Sequence, residues 1–320
     1  MKIIKDLINN TDFPDQTGGV PTVIALGTFD GLHRGHIDVI SHARDYAREH
    51  GLQLAVLTFV NHPFTLINPC AVPQSLISPA EKIRKLKELG VDLLVDIPFD
   101  RQLAVLSPKQ FLQQLRKLDF RCLVCGANFS YGFRGTGNTG MLKQNGHIKG
   151  FEVIVRPLLE YRGEPVSSTR IRRAIAAGDL ADAEAMLGRP YSVEGIVQRG
   201  FRRGRTLGFP TANLYVSRNG TALPPGGVYA MTVQYDGKLL QGVGNLGMNP
   251  TFDDVIREVL EINLFDFHGD LYGTTLEAGF CKFLRPERRF ASLDALKDQL
   301  EQDREEARRY FRDTAGTDRP

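Results

Sequence analysis

The segment from Thr22 to Phe59 most strongly limits what this 320-residue chain can fold into. It begins with an apolar run at 23–26, continues through the glycine-rich stretch GTFDGLHRGH at 27–36, and then places apolar residues at helical spacing. A second apolar run follows at 54–59. This order predicts a strand, a tight turn, a helix and a second strand, which is the repeating unit of a parallel sheet.

The residues that follow repeat this alternation. SPAEKIRKLKEL at 78–89 and SPKQFLQQLRKL at 107–118 predict helices that begin at a Ser-Pro pair. VDLLVDIPF at 91–99 and CLVCG at 122–126 predict buried strands. Strands that alternate with helices favour an α/β fold with a mostly parallel sheet covered by helices.

The pattern changes past Pro190. Short segments of alternating polarity, separated by glycine and proline, predict antiparallel strands that close into a compact β-barrel, with one last helix at 293–311. A chain of this length exceeds what one hydrophobic core usually organises. We therefore expect two domains, at 1–186 and 187–320.

Composition and charge restrict the partners. The net charge of +3 suits anionic small molecules and is too small for a nucleic-acid-binding surface. The chain shows neither a signal peptide nor a run of about 18 apolar residues, so we expect a cytoplasmic protein without a membrane segment. Among the four cysteines, Cys122 and Cys125 form a C-x-x-C pair without further zinc ligands nearby, so we expect them to pack in a strand.

A phosphate site is the first functional prediction. Gly27, Gly31 and Gly35 let a ligand approach the backbone where the helix begins, and the unpaired N–H groups there attract anions. His33 and His36 lie three residues apart at that helix start, so both could donate to one phosphate. On spacing alone, histidines that cap or pack the helix are the alternative.

The segment VSSTRIRRAI predicts a second helix start of this kind. A hydroxyl at 167–169 can cap a helix whose apolar face carries Ile171 and Ile175. Arg170 and Arg172 place positive charge beside its N-terminus. A capped surface helix with solvated arginines is the alternative.

Four motifs resemble one enzyme family. GTFDGLHRGH is similar to the G-x-F-D-G-x-H-x-G-H signature of the nucleotidyltransferase superfamily. Together with TFVNHPF, GANFSYGFRGTG and VSSTRIRRAI, it resembles the FMN adenylyltransferase domain of the bacterial bifunctional riboflavin kinase/FAD synthetases over most of residues 15–186. Val60 and Asn61 depart from the Asp-Pro that often precedes the His-Pro pair, which weakens any role for these two positions.

This resemblance implies a Rossmann-like nucleotidyltransferase fold and a role for residues of each motif. His33 and His36 are the implied catalytic pair. The implied ATP- and phosphate-binding residues are Gly27, Phe29, Asp30, Gly31, His33, His36, Asn128, Ser167, Ser168, Thr169, Arg170 and Arg172. The implied flavin-binding residues are His62, Pro63 and Phe64.

The barrel region predicts a second site of a different kind. In GRTLGFPTANL at 204–214, Thr211 and Asn213 share one face of an extended segment and offer the neutral oxygen ligands that suit Mg²⁺. Gly204 and Gly208 would admit a nucleotide. Because the chain has no G-x-x-x-x-G-K-[ST] motif, this ATP site is not a P-loop.

Glu261 is the candidate base of that site. The alternation in REVLEINLFDF places Val259, Glu261, Asn263 and Phe265 on one strand face. A carboxylate there could accept a proton from a substrate hydroxyl. A solvent-facing glutamate is the alternative.

GFPTANL, NLGMNPTF, LEINLFDFHGDLYG and FLRPE resemble the motifs of riboflavin kinases. This resemblance implies an antiparallel barrel in which Glu261 activates the riboflavin 5'-hydroxyl. The implied ATP- and flavin-binding residues of the kinase are Gly204, Gly208, Pro210, Thr211 and Asn213, of which Thr211 and Asn213 are also the implied metal ligands. Asn263 stands where many relatives have histidine, so no histidine role carries over to that position.

Together the motifs predict a bifunctional enzyme that phosphorylates riboflavin to FMN in its C-terminal domain and adenylylates FMN to FAD, with release of pyrophosphate, in its N-terminal domain. The expected small molecules are riboflavin, FMN and ATP, with Mg²⁺ as cofactor and FAD as product. We expect a monomer or weak homo-oligomer that binds neither nucleic acid nor membrane. The basic stretch at 199–205 is interpreted as a flap that contributes charge near the ATP phosphates, with a solvated loop as the alternative. The alternatives for the whole chain are an RNA-binding protein, with this stretch as its rim, and a nucleotidyltransferase with another substrate.

Overall fold

The computed structural model describes residues 1–9, 18–198, 209–216, 220–250 and 256–315. The chain divides into two compact units. The first, which we call the sheet unit, comprises Met1–Pro73 and Pro79–Ser168, and the second, which we call the barrel unit, comprises Gln74–Ser78 and Thr169–Pro320.

The sheet unit contains a parallel six-stranded sheet, as predicted. The strands of the whole unit are β1 (Lys2–Ile4), β2 (Thr22–Leu26), β3 (Gln53–Phe59), β4 (Leu93–Ile97), β5 (Phe120–Gly126), β6 (Ser130–Tyr131), β7 (Gly137–Asn138), β8 (Glu152–Arg156), β9 (Glu160–Tyr161) and β10 (Glu164–Pro165). The large sheet has the order β1-β4-β3-β2-β5-β8, and every neighbouring pair in it is parallel. The remaining four strands form two short antiparallel pairs.

Helices cover this sheet. They are α1 (Arg34–His50), α2 (Phe64–Ile67), α3 (Pro79–Glu88), α4 (Arg101–Ala104), α5 (Pro108–Leu115) and α6 (Thr139–Lys149). Both helices predicted from a Ser-Pro start are present as α3 and α5. Helix α1 ends at Gly51, whose φ of 64° is the left-handed conformation that glycine adopts without a steric cost.

The cysteine pair lies inside the sheet. Cys122 and Cys125 are fully buried on β5, which is the packing role predicted for them. Burial raises the pKa of the Cys122 thiol to about 12 and that of Cys125 to about 11. Because the thiolate is the reactive form, we expect both thiols to react slowly in the native fold.

The barrel unit is a closed antiparallel barrel with helices beside it. Its strands are β11 (Tyr191–Gln198), β12 (Ala212–Tyr215), β13 (Gly227–Tyr235), β14 (Lys238–Pro250), β15 (Ile256–Leu264) and β16 (Thr275–Arg285). They close in the order β11-β12-β15-β14-β13-β16. The helices are α7 (Ser168–Ala177), α8 (Leu180–Leu187) and α9 (Leu293–Ala315), the last being the predicted C-terminal helix.

The compact units divide earlier than the expected domain boundary at 186/187. The physical reason is that α8 packs against β11 and β16, so the helices before the barrel belong to it. The short segment Gln74–Ser78 also joins this unit, because Ser75 exchanges backbone hydrogen bonds with Gly220 and Ala222. The assignment of one activity each to 1–186 and 187–320 stays a prediction.

Helix α9 is anchored to the barrel by a buried ion pair. Asp303 is 3% exposed, and both of its carboxylate oxygens accept from the Arg285 guanidinium, at 2.8 and 2.7 Å. The Gln299 side-chain amide donates a third hydrogen bond to Asp303, at 2.7 Å.

Among the residues that the structure describes, no helix combines the length and apolar character needed to cross a bilayer.

Candidate functional sites

The first candidate site lies at the carboxyl end of β2, in the middle of the sheet. From β2 the chain builds β3 and β4 on one side and later β5 and β8 on the other, so the strand order reverses between β2 and β5. Ligands of open α/β sheets bind in the crevice at such a switch point. The loop at 27–33, which joins β2 to α1, therefore occupies the favoured position for a binding site.

This loop has an unusual backbone. Phe29, Gly31 and Leu32 have φ of 49°, 81° and 42°, the left-handed region that costs energy for residues other than glycine. Burial of the Phe29 and Leu32 side chains stabilises the conformation. A Cβ at Gly27 would lie 3.0 Å from the Phe29 ring, so this glycine makes room for the buried phenylalanine.

His33 and His36 lie against each other where α1 begins. Their ring centroids are 3.5 Å apart with an angle of 17° between the planes, so the imidazoles stack. Phe29 meets His36 edge to face at 5.3 Å. His33 is also the N-cap residue, because its Nδ1 accepts from the His36 N–H at 3.3 Å. His33 thus caps the helix and also lies at the predicted phosphate site, so the two interpretations of this residue are compatible.

His36 is held in its neutral form. Burial lowers the pKa of His36 well below the ordinary value for imidazole, and electrostatic interactions with His33 and with Lys82 act in the same direction. Its Nδ1 has no hydrogen-bond partner among the described residues. A neutral imidazole carries one N–H, so His36 can offer one hydrogen bond to a phosphate without adding charge.

A buried charged cluster beside the histidines was missed from the sequence. Lys82 of α3 is 9% exposed, and its Nζ donates to the Phe59 carbonyl at 3.1 Å and to the Thr58 hydroxyl at 3.4 Å. Burial lowers the pKa of Lys82, while the carboxylates of Asp96 and Asp30 oppose that shift. The ammonium therefore joins α3 to the carboxyl end of β3.

Three further predicted phosphate ligands lie at the same edge of the sheet. Ser168 donates from its hydroxyl to the Asp30 carbonyl at 3.0 Å, which ties the first residue of α7 to the loop after β2. Asn128 follows β5, on the other side of the switch point, and is exposed. Ser167 is partly buried beside Ser168. The structure thus brings Ser168 and Asp30 together.

Thr169, Arg170 and Arg172 lie in the first turns of α7 and belong to the barrel unit. Thr169 is exposed and Arg170 is partly buried. The Nε of Arg172 donates to the Gln74 carbonyl within the same unit. The role of these three residues as phosphate ligands stays a prediction.

The predicted flavin-binding residues form a short turn after β3. The Nδ1 of His62 accepts from the Phe64 N–H at 3.1 Å, Pro63 precedes α2, and the Phe64 side chain is 42% exposed. Asn61 has a structural role that the sequence did not indicate. Its amide donates to the Phe99 carbonyl at 3.1 Å and accepts from the Phe99 N–H at 2.8 Å, which fixes the turn to the end of β4.

The second candidate site lies on three neighbouring barrel strands. Asn213 of β12 pairs with Glu261 of β15, and Glu261 pairs with Asn245 of β14. Residues directly opposite in antiparallel strands project to the same face, with Cβ atoms about 4.5–5.5 Å apart. The register therefore places one amide on each side of the predicted base Glu261, from Asn213 and from Asn245. Asn245 in turn donates to the Glu287 carboxylate at 2.9 Å.

Asn263 supports the segment that carries the predicted metal ligands. Its side-chain amide is buried and donates to the Pro210 carbonyl at 2.8 Å. Asparagine at this position therefore holds the backbone immediately before Thr211. Gly204, Gly208 and the basic stretch at 199–205 lie outside the described residues.

The chemistry of these donors fits a magnesium ion. Thr211 and Asn213 are partly exposed and offer a hydroxyl and an amide oxygen. Within the described residues, no group of three or more His, Cys, Asp or Glu side chains could hold a metal ion. Mg²⁺ commonly retains several waters and substrate phosphates, so two neutral oxygens suit it when a nucleotide is bound.

Comparison with known proteins assigns the family. The FAD synthetase family model matches residues 16–170, and the riboflavin kinase model matches residues 187–311. The bifunctional riboflavin kinase/FMN adenylyltransferase of Bacillus subtilis strain 168 is 40% identical over 294 residues, covering 91% of this chain and 92% of the relative. The chain belongs to this bifunctional family. The Escherichia coli K12 member is 37% identical over 314 residues, covering 97% of this chain and 98% of the relative.

A solved structure shares the fold over almost the whole length. It is titled as a macrolide-efflux protein from Streptococcus pneumoniae, and it matches with a TM-score of 0.84 at 34% identity, covering 96% of this chain and 98% of that one. The activity in that title is a statement about the pneumococcal protein. The likeness supports the order found here, a parallel sheet followed by a closed barrel and a C-terminal helix.

Proposed function

We propose that this chain makes FAD in two steps, with riboflavin phosphorylated at the barrel site and the resulting FMN adenylylated at the loop after β2. Membership of the family makes it a transferase with a C-terminal riboflavin kinase and an N-terminal FMN adenylyltransferase. The observation that carries the residue assignment is the stacking of His33 on His36 at the start of α1, where burial keeps His36 neutral. The residues opposite Glu261 in the barrel form a second, separate candidate site.

In adenylyl transfer, a phosphate oxygen of FMN attacks the α-phosphorus of ATP. A new P–O bond forms, the bond between the α-phosphorus and the bridging oxygen breaks, and pyrophosphate leaves with that oxygen. His33, His36 and the first N–H groups of α1 supply hydrogen bonds to the negative charge that develops on the phosphoryl oxygens. No protein nucleophile takes part, so catalysis comes from orientation and charge stabilisation.

In the kinase reaction, the riboflavin 5'-hydroxyl attacks the γ-phosphorus of ATP and ADP leaves. Glu261 accepts the hydroxyl proton as the new P–O bond forms. Thr211 and Asn213 would hold Mg²⁺, which supplies charge neutralisation on the phosphates when it is bound. Asn263 keeps the backbone before these ligands in place through Pro210.

The remaining predictions concern the flavin contacts, the cellular compartment and the oligomeric state. His62, Pro63 and Phe64 are proposed to contact the flavin, since Phe64 presents an exposed aromatic ring at the sheet edge. We also propose a cytoplasmic monomer or weak homo-oligomer, for which light scattering over a concentration series is the measurement.

A time course tests the proposed function. Pure protein is incubated with riboflavin, ATP and magnesium, and riboflavin, FMN and FAD are resolved over time. FMN is expected first and FAD after it, and FMN supplied directly is expected to give FAD without riboflavin. Failure to form FMN from riboflavin, or FAD from supplied FMN, would contradict the corresponding half of the proposal. RNA binding that falls steeply with salt, without flavin turnover, would favour the nucleic-acid alternative.

A further inference from the structure

Lys82 is a buried charged residue of the sheet unit that the two-step mechanism leaves unused. Its ammonium is buried beneath the candidate site and donates to two groups at the end of β3, the Phe59 carbonyl and the Thr58 hydroxyl. A buried lysine has a large desolvation cost, so natural cores contain few of them without a specific partner. Here the partners belong to the strand beside the loop that carries the histidines.

The Thr58 hydroxyl links Lys82 to that loop. It accepts from Lys82 Nζ and itself donates to the Thr28 carbonyl at 2.8 Å. Thr28 precedes Phe29, where the backbone enters the left-handed region. A chain of two hydrogen bonds therefore runs from α3 through β3 to the strained part of the loop.

Charge connects the same residues. The groups that act on His36 are its neighbour His33 at the start of α1 and Lys82 on α3, and the groups that act on Lys82 are Asp96 on β4 and Asp30 in the loop. The positive charge of Lys82 disfavours a proton on His36. Lys82 therefore affects both the conformation of the loop before His33 and the protonation of His36.

We propose that Lys82 is a positioning residue for adenylyl transfer, because its ammonium holds the Thr58 hydroxyl that anchors Thr28 and so fixes the loop leading to His33 and His36. This inference rests on the proposed FMN adenylyltransferase function of the sheet unit. Lys82 touches neither substrate nor the reacting phosphorus in this role, so it acts through Thr58 and His36.

The first test replaces Lys82 by methionine, which keeps a long unbranched side chain and removes its charge. Lys82→Met is expected to lower kcat for FAD formation at least tenfold with little change in KM for ATP, and to leave riboflavin kinase activity intact. Lys87→Met is the matched control, since it removes the same charge from an exposed position on the same helix. Equal kcat in the two variants, both folded, would overturn the proposal.

The second test distinguishes positioning from general stability. The pH profile of kcat for FAD formation in Lys82→Met is expected to shift its acidic limb upward, because loss of the nearby positive charge makes His36 easier to protonate. An NMR titration of the His36 ring should shift in the same direction. A variant that melts earlier but keeps the wild-type kcat and pH profile would assign Lys82 a purely structural role.

The third test follows the hydrogen-bond chain and does not depend on whether Lys82→Met folds. Thr58→Val removes the hydroxyl at constant shape and is expected to reduce kcat, while Thr58→Ser keeps the hydroxyl and is expected to retain it. The double variant Lys82→Met/Thr58→Val should lose little more than the worse single variant. Additive losses would contradict the link, whereas absence of FAD formation in the wild-type chain would instead contradict the proposed function.

Discussion

The candidate site of the sheet unit is built from consecutive residues, 27–36, whereas the barrel site is assembled from three strands that are far apart in the chain. In the first, a strained loop and a helix start present backbone N–H groups and two imidazoles. In the second, strand register brings Glu261 between Asn213 and Asn245. In the proposed function both sites serve attack on a phosphorus atom, so they represent two ways to stabilise the negative charge of the phosphates.

The two sites also differ in how the protein controls charge. His36 is kept neutral by burial and by electrostatic interactions with His33 and Lys82, so that site depends on the protein's own buried groups. The barrel site offers neutral oxygens and one carboxylate, and in the proposed function a bound cation would balance the charge of the phosphates. Variants in one site should therefore leave the other reaction unchanged.

Reciprocal variants give the largest expected effect and the most direct way to break this comparison. Glu261→Gln is expected to lower FMN formation by about 10²–10⁴-fold, because the amide cannot accept the hydroxyl proton. His36→Gln is expected to lower FAD formation by about 10²–10³-fold, the usual effect of removing a donor to developing charge. Initial rates with riboflavin or with FMN as substrate measure the two steps separately.

Each variant carries its own control, since the second activity reports that the chain is folded. Glu261→Gln should make FAD from supplied FMN at the wild-type rate, and His36→Gln should make FMN at the wild-type rate. If either folded variant lost both activities, the division of the reactions between the two sites would be wrong.

A stability variant sharpens the comparison at the level of the two units. Asp303→Ala leaves the Arg285 guanidinium without its carboxylate, so the barrel unit is expected to lose about 2–3 kcal/mol, less than a fully buried pair because Arg285 is partly exposed. Kinase activity should therefore be lost at a lower temperature than FAD formation. Thermal inactivation measured with each substrate gives the result.

The matched control uses an ion pair on the same helix. Asp266 pairs with Arg308 of α9, but its side chain is 75% exposed, so Asp266→Ala is expected to destabilise the barrel unit much less than Asp303→Ala. An equal loss in the two variants would mean that burial of the Arg285–Asp303 pair does not secure α9.

Sequence reasoning reached the parts of the molecule whose signal is local. β2, α1 and the histidine pair lie in one short stretch, where period and glycine placement indicate strand, turn and helix. Lys82 was missed although it stands four residues from the buried Leu86, on the apolar face of α3. Its partner Thr58 is distant in sequence, and only the packing of α3 on the sheet brings the two together.

The same limit explains the other omissions. Asn61 bonds the backbone of Phe99 because β3 and β4 are neighbours in the sheet, and the sequence gives no period for that contact. Motif resemblance named Glu261, but the amide at Asn245 beside it follows from the register of β14 and β15. Long-range pairing, unlike local pattern, is fixed by topology.

A pH experiment separates the units by a smaller effect. His36 takes up a proton in the unfolded chain near the ordinary imidazole pKa but resists it in the native fold, so its contribution to stability is complete above that pKa and is lost as the pH falls below it. The loss is at most about 1.4 kcal/mol per pH unit. Hydrogen exchange of the sheet amides, corrected for intrinsic rates, measures it.

The control is the difference between wild type and His36→Gln. Without the imidazole, the stability of β2 and its neighbours should vary less between pH 7 and pH 5, by up to about 1.4 kcal/mol per unit. The barrel amides should respond equally in the two proteins. An unchanged pH dependence of the sheet in the variant would show that His36 is not held neutral.

Thiol labelling has the smallest expected effect on activity and compares the two cores directly. Cys70 is exposed and should react in the native protein, with both activities retained, whereas Cys122, Cys125 and Cys281 are buried and should react only after unfolding. Mass spectrometry of the labelled peptides identifies each site.

Cys281 packs in a cluster with Phe311 of α9, so Asp303→Ala should expose Cys281 while leaving the two sheet cysteines protected. Simultaneous labelling of all three would mean that the two cores open together, which would contradict separate control of the two sites.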